Sequence, residues 1–256
     1  MREQLEAILA GQPGAWAVDL RDSAGVVRLD FNAGRTLPSA SLIKVPLAWQ
    51  FLERQGALQA KTYVAERDIC DPDGSLAACV GRALPLDELA RRMIVESENN
   101  ATNLLLDLLG GIDAANGWLH SHGCPGTWWR RRMLDFAARA AGRDNLTSAS
   151  ELAGLLWNLR RAGEPAALLR WLAEAEGRGK LEAGLPPDTW LAHKVGDLPD
   201  AEHDAGIIHL PGGGWYVLVV MAADLPDPPA ARPIIAAISR LCWETLLAES
   251  EPGGEV

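Results

Sequence analysis

The sequence predicts a mixed α/β fold: an antiparallel sheet of about five strands drawn from both ends of the chain, flanking helices, and an all-helical lobe between them. Three observations carry this. Apolar residues alternate with polar ones near the N-terminus, a 3.6-residue period runs from Ser41 to about Thr189, and strand character returns after Pro186-Pro187. The expected division is residues 1–40 with 190–256 as an α/β lobe and 41–189 as a mainly helical lobe, in one unit with a cleft between them.

The elements follow in chain order. Leu5, Ile8 and Leu9 place a short amphipathic helix over Glu3 to Ala10, stopped by Gly11 and Pro13-Gly14. Trp16 to Leu20 and Val26 to Phe31, separated by Ser23-Ala24-Gly25, read as a hairpin. Leu86 to Val95 starts a helix after Pro85, and Asn100 to Leu109 ends one at Gly110-Gly111, where glycine can close it in the left-handed conformation. Ser148-Ala149-Ser150-Glu151 has the spacing of a capping box ahead of Leu152, Leu155, Leu156 and Leu159, and Ala166 to Ala175 adds a further helix. Trp190 to Val195, Gly206 to Leu210 and Trp215 to Met221 are strands, the last two joined at Gly212-Gly213-Gly214, and Ala230 to Leu247 is a terminal helix.

Composition narrows the function. The chain has 256 residues, of which 48% are hydrophobic, enough for a large core and incompatible with disorder. A formal charge of −10 gives no electrostatic footprint for nucleic acid or an anionic membrane. Met1 to Glu6 carries acids where a secretory leader has basic and then apolar stretches, and the longest apolar run, Trp215 to Ala223, is too short to span a bilayer. The expectation is a cytoplasmic chain as written, periplasmic or secreted if its N-terminus was trimmed. Cys70, Cys79, Cys124 and Cys242 lack paired spacing for zinc, so they read as buried thiols, with a Cys70 to Cys79 bridge as the alternative.

Three short strings carry chemistry. In Ser41-Leu42-Ile43-Lys44 the lysine lies one helical turn beyond the serine, on the same face. A neutral Lys44 could take the Ser41 proton, which requires its pKa to be depressed by burial or by a second cation, a role open to Lys194. Pro46 implies a late helix start or a mild kink. Ser97-Glu98-Asn99 lies between two predicted helices. Ser97 or Asn99 could simply cap the next helix; alternatively Ser97 relays a proton to a leaving nitrogen and Asn99 hydrogen-bonds a substrate amide. Lys194-Val195-Gly196 lies on a strand, which puts Lys194 and Gly196 on one face. Lys194 is either a solvated charge or the group that binds a substrate carboxylate, Gly196 leaves room for substrate, and the backbone N–H of Asp197 could join that of Ser41 as an oxyanion hole.

In order and context these strings resemble those of the class A serine β-lactamases and related penicillin-binding proteins, with S-x-x-K, S-D-N and K-T-G. The resemblance extends over nearly the whole chain, most closely along Arg92 to Leu106. It implies a β-lactamase-like fold with the site between the lobes, Ser41 acylated by a β-lactam, and neither metal nor cofactor. Two positions depart from the pattern, Glu98 for aspartate and Val195 for threonine, the latter removing a hydroxyl that helps bind a substrate carboxylate. The E-x-x-x-N pattern whose glutamate activates the deacylating water is absent between Thr127 and Thr147, where Asp135 is the only acid before Asp144.

Other constellations have plainer readings. His120-Ser121-His122 offers no third metal ligand, Arg130-Arg131-Arg132 reads as a solvated face, and tryptophans such as Trp16, Trp157 and Trp243 fall at core-facing positions. The expected activity is therefore β-lactam opening through a Ser41 ester on a small-molecule substrate. The alternatives are a related peptidase or esterase, and a penicillin-binding or sensor protein with slow or absent deacylation.

Overall fold

The computed structural model describes residues 1–177 and 179–250. In chain order, α1 (Arg2–Leu9) leads into the strands β1 (Ala15–Asp22), β2 (Val27–Phe31) and the short β3 (Leu37–Pro38). The middle of the chain contributes α2 (Lys44–Arg54), β4 (Lys61–Tyr63), β5 (Ala83–Pro85), α3 (Leu86–Val95), α4 (Asn99–Leu108), α5 (Gly111–Ser121), α6 (Phe136–Ala140), β6 (Leu146–Thr147), α7 (Ala149–Ala162) and α8 (Ala166–Glu174). The chain returns to strand with β7 (Leu191–Leu198), β8 (Ala201–His209) and β9 (Trp215–Ala223), then ends in α9 (Arg232–Ser250).

The five-stranded sheet runs β2-β1-β9-β8-β7, with each neighbouring pair antiparallel. Pairing of β1 with β9 lets the N-terminal hairpin and the C-terminal strands share one sheet, with Val18 opposite Val220. β9 is buried along nearly its whole length, which suits its unbroken Trp-Tyr-Val-Leu-Val-Val-Met-Ala-Ala composition better than an alternating one would. The β1–β2 connection turns at Gly25, whose φ of +84° favours glycine, and a Cβ there would also lie 2.9 Å from the Trp157 ring.

Alternation along β1 divides the core. Trp16, Val18 and Leu20 face α1 and α9, where they join Leu5, Ile235, Ile238 and Cys242. Ala15 and Ala17 face the other way, into a second cluster that holds Leu152, Leu155 and Leu156 of α7 together with Phe51, Leu89 and Leu105. One face of the sheet and the middle helices thus share a continuous core. The middle segment is not helical throughout: β4 pairs with β5 and β3 with β6, because the apolar pattern of these two- and three-residue ladders is too short to show a period.

The predicted helices hold with small shifts. β8 starts at Ala201 instead of Gly206, since Glu202, His203 and Asp204 are buried polar residues that hide the strand pattern. Ser148 does cap α7 by accepting from the Glu151 N–H, but no reciprocal box forms: the Glu151 carboxylate instead accepts from the Gly126 N–H and the Thr127 hydroxyl.

Candidate active site

Ser41 sits in a 3-10 turn, Ala40–Ile43, that runs directly into α2. Its predecessor Ala40 is buried with φ at +46°, an uncommon conformation for a residue with a side chain. Leu42 and Ile43 are fully buried and anchor the turn in the core. Pro46 falls in the first turn of α2, where its missing N–H costs nothing, so the helix begins late rather than kinking.

Lys44 is fully buried. Its Nζ lies 2.6 Å from the Ser97 carbonyl oxygen, 3.2 Å from the Ser97 hydroxyl and 2.9 Å from Asn99 Oδ1. Among the described residues the Ser41 hydroxyl is not one of its hydrogen-bond partners. Burial, and then the charge of Lys194, hold the amine well below its usual pKa, against the opposing pull of Glu98, Cys70 and Asp71. The contact set also suits a neutral amine. Two of its neighbours, the carbonyl and the amide oxygen, only accept, whereas the third is a hydroxyl that can donate to the nitrogen lone pair.

Ser97 stands at the junction of α3 and α4 with φ at +59°. The cap of α4 is neither Ser97 nor Asn99. It is Glu98, whose buried carboxylate accepts from the Ala101 N–H, Asn100 Nδ2 and the Leu76 N–H. With Glu98 taking the capping role, Ser97 and Asn99 turn to Lys44. Glutamate in place of aspartate is thus a structural choice, since it reaches both its own helix and the loop at Leu76.

On β7, Lys194 is buried and donates to the Val195 carbonyl at 3.1 Å, and it lies close enough to Lys44 to depress it. Gly196 faces the Ser41 turn: a Cβ there would be 3.1 Å from Ala40 Cβ and 3.3 Å from Ser41 N. Val195 is buried and supplies no hydroxyl. Asp197 lines the cleft, but its carboxylate is paired with the fully buried Lys180, which also pairs with Glu202. Sequence reasoning missed Lys180, because a lysine beside glycines at 177 and 179 gives no sign that it folds under a strand.

The segment from Trp128 to Thr147 forms the opposite wall. Asp135 does not reach the site: its side chain is exposed and caps α6 by accepting from the Ala138 N–H. The cleft is lined here by Arg131, Met133, Leu134 and Phe136. Met133 is clasped through its backbone by Asn103, whose Oδ1 accepts from the Met133 N–H at 2.8 Å and whose Nδ2 donates to the Met133 carbonyl at 3.2 Å. Asn103 lies four residues after Asn99 on α4, and that i,i+4 spacing is the signal that could have found it.

The remaining candidates are structural. His122 stacks on Trp118 and faces Glu53, Arg131 pairs with Asp144, and Arg132 pairs with Asp107. Cys70 and Cys79 are both free thiols, so the bridge is absent, and Cys70 is exposed. Trp16 and Trp243 are buried, while Trp157 is only partly so. Among the described residues the one His-containing cluster of metal-ligand type is Glu182, His193 and Asp204. There Asp204 is already engaged by His193 Nδ1 and by the Leu181 N–H.

Ser41, Ser97, Glu98, Asn99 and Asp197 line a single cleft of about 390 Å³, with Lys44 buried behind Ser97 and Asn99 and Lys194 buried on β7. A hydroxyl at the end of a helix, a deprotonatable amine one turn on and a second hydroxyl against that amine can perform acyl transfer. Comparison with known proteins points the same way. Residues 1–246 match the model of the β-lactamase enzyme family. A β-lactamase of Streptomyces fradiae is 28% identical over 250 residues, covering 91% of this chain and 81% of its own. Among solved structures, the ancestral class A β-lactamase GNCA superposes with a TM-score of 0.87 at 28% identity, covering 95% of this chain and 98% of that one. A mutant of PBP-A, in an acyl-enzyme complex with penicillin G, superposes with a TM-score of 0.86 at 25% identity, over 96% and 95% of the two chains.

Proposed function

The chain belongs to the β-lactamase enzyme family, and from that membership and the cleft geometry we propose how its residues divide the work of opening a β-lactam amide. The protein is a serine hydrolase acting on β-lactams; the family match favours this over a peptidase, esterase or sensor. Ser41 is the nucleophile. Neutral Lys44 takes its proton as the hydroxyl oxygen attacks the lactam carbonyl, and the backbone N–H groups of Ser41 and Asp197 receive the developing oxyanion.

The proton on Lys44 then has a short path. The Ser97 hydroxyl, 3.2 Å from Nζ, passes its own proton to the departing ring nitrogen and is refilled from the amine. Asn99 fixes Lys44 through Oδ1 and offers Nδ2 to the cleft, and the positive charge of Lys194 attracts a substrate carboxylate while keeping Lys44 neutral. Hydrolysis of the Ser41 ester completes the cycle. The wall at 131–136 presents no carboxylate to the cleft, and the base assigned to the attacking water is Lys44, neutral again once it has refilled Ser97.

The observation that carries this reading is the fully buried Lys44 amine held between Ser97 and Asn99. Incubation with a chromogenic cephalosporin, followed by intact-mass measurement, tests it. Wild-type protein is expected to give product with a transient adduct equal to the intact drug mass, and Ser41→Ala to give neither. Turnover that survives Ser41→Ala would remove the nucleophile.

A further inference from the structure

We propose that Asp71 is a specificity-determining residue that makes this cleft prefer β-lactams carrying an ammonium group on the acyl side chain. The proposal rests on the cleft being the β-lactam site. Asn99 has one amide face for each side of the pocket: Oδ1 accepts from Lys44 at 2.9 Å, which leaves Nδ2 as the group available to substrate. That donor is already met by Asp71 Oδ2 at 3.3 Å. A neutral acyl carbonyl that takes the second N–H of Nδ2 comes to lie beside that carboxylate, whose negative charge opposes it, whereas a cationic N–H donor in the same place is attracted by the carboxylate itself.

Asp71 is fixed where it stands. The Asn100 side chain accepts from the backbone N–H groups of Cys70 and Asp71, both at 2.8 Å, and donates to the Asp71 carbonyl at 2.8 Å. Asn100 is itself fully buried and held by Glu98, the cap of α4. The carboxylate is thus built onto the same junction that positions Ser97 and Asn99, and it is half-buried, where screening by solvent is reduced. Among the described residues no Lys, Arg or His forms an ion pair with Asp71 or with Asp73, the exposed acid two residues on that lines the same wall. Among the described residues Arg131 is the one Lys, Arg or His lining the cleft, and it is turned to Asp144 at 2.8 Å. The acids on this wall thus have no ion-pair partner among the described residues, and a cationic substituent would supply one.

Benzylpenicillin and ampicillin differ by one α-amino group and test the proposal in the full-length Ser41→Ala protein, where binding is measured by calorimetry without chemistry. Near pH 6, where that amine is protonated, ampicillin is expected to bind roughly three- to tenfold tighter. Adding Asp71→Asn should bring the two affinities to within about twofold, and Asp71→Glu should keep the preference. Should Asp71→Asn not fold, the pH dependence of the Ser41→Ala protein decides: near pH 9, with the amine neutral, the preference must vanish. Equal binding near pH 6, tighter binding of benzylpenicillin, a preference that outlives the Asp71 charge, or no binding of either drug each overturns the proposal. Intact-mass acylation of the wild type reports separately on the hydrolase reading. An ampicillin preference without any adduct would sink the chemistry and leave Asp71 standing.

Discussion

Lys44 and Ser97 meet twice, the buried amine lying 2.6 Å from the serine carbonyl oxygen and 3.2 Å from its hydroxyl. A residue between two helices can present both groups to one atom only if the backbone turns sharply, and Ser97 does so with φ at +59°. The left-handed conformation costs a residue with a side chain about 1–2 kcal/mol. Glu98 offsets part of that cost by capping α4 and tying it to Leu76. The strain and the cap are one device: the chain is bent so that amine and hydroxyl can exchange a proton.

If the charge of Lys194 helps keep Lys44 neutral, its removal must move the acid limb of acylation. Lys44 acts in its unprotonated form, and burial followed by Lys194 lowers its pKa. Replacing Lys194 by glutamine deletes a lowering influence, so the Lys44 pKa rises and a higher pH is needed for the same fraction of free amine. The acid limb of the acylation rate against pH should therefore move upward. The rate at the plateau will fall as well, through weaker substrate binding, but only the position of the limb reports on Lys44. A limb that stays put or moves down would contradict the electrostatic account.

Ser97→Gly separates fold from chemistry. Glycine adopts the left-handed conformation freely, which relieves strain, while its extra freedom in the unfolded chain offsets part of the gain, leaving stability within about 1 kcal/mol of the parent. The proton path to the leaving nitrogen is lost with the hydroxyl. Acylation followed by stopped-flow absorbance should slow by about a hundredfold. Thermal unfolding of the same sample should show a midpoint close to that of the wild type. A large drop in the midpoint would mean that the Ser97 hydroxyl is needed for folding, not for chemistry.

Much of this was legible in the sequence. The sheet from both chain ends, the helices α3, α4 and α7, and the three strings at 41–44, 97–99 and 194–196 all announce themselves through periodicity, caps and spacing. What was hidden depends on long-range contacts. Lys180 reads as a surface lysine until β7 folds over it and supplies Asp197, and β8 begins in polar residues that only a buried network can satisfy. Asp135 is the only acid before Asp144 in its loop, and sequence cannot show that its carboxylate is spent on the Ala138 N–H. Asp71 gives no signal at all, since nothing local connects it to an amide 28 residues away.

Gly196 sets the distance between β7 and the nucleophile. A Cβ would press on Ala40 Cβ at 3.1 Å, Leu42 Cγ at 3.3 Å and Ser41 N at 3.3 Å, and all three belong to the strained turn itself. Gly196→Ala must therefore displace the strand or the turn by a few tenths of an ångström, at a stability cost of about 1–3 kcal/mol. Because the oxyanion hole is proposed to use one N–H from each side of this contact, kcat/KM should fall more steeply than stability does, by at least about tenfold. Unchanged kcat/KM with a lowered melting temperature would show that the Asp197 N–H has no part in holding the oxyanion.

Met133 offers a direct way to ask which base deacylates Ser41. Its side chain lines the cleft on the wall opposite Asn99, and its backbone is pinned at both N–H and C=O by Asn103, so a substitution there changes the side chain with little freedom for the loop to withdraw. Met133→Glu introduces a carboxylate of similar length into a wall that presents none, within a segment whose geometry α4 already fixes. A second base added beside Lys44 should shorten the life of the Ser41 ester by at least about tenfold, the usual scale of general-base assistance. The change is read by mixing protein briefly with penicillin G, removing free drug, and following loss of the adduct by intact mass. Met133→Gln, equal in shape and without charge, should leave the ester lifetime near that of the wild type. If both variants decay alike, the water that attacks the ester does not pass along this wall, and the base must lie on the Lys44 side of the cleft alone.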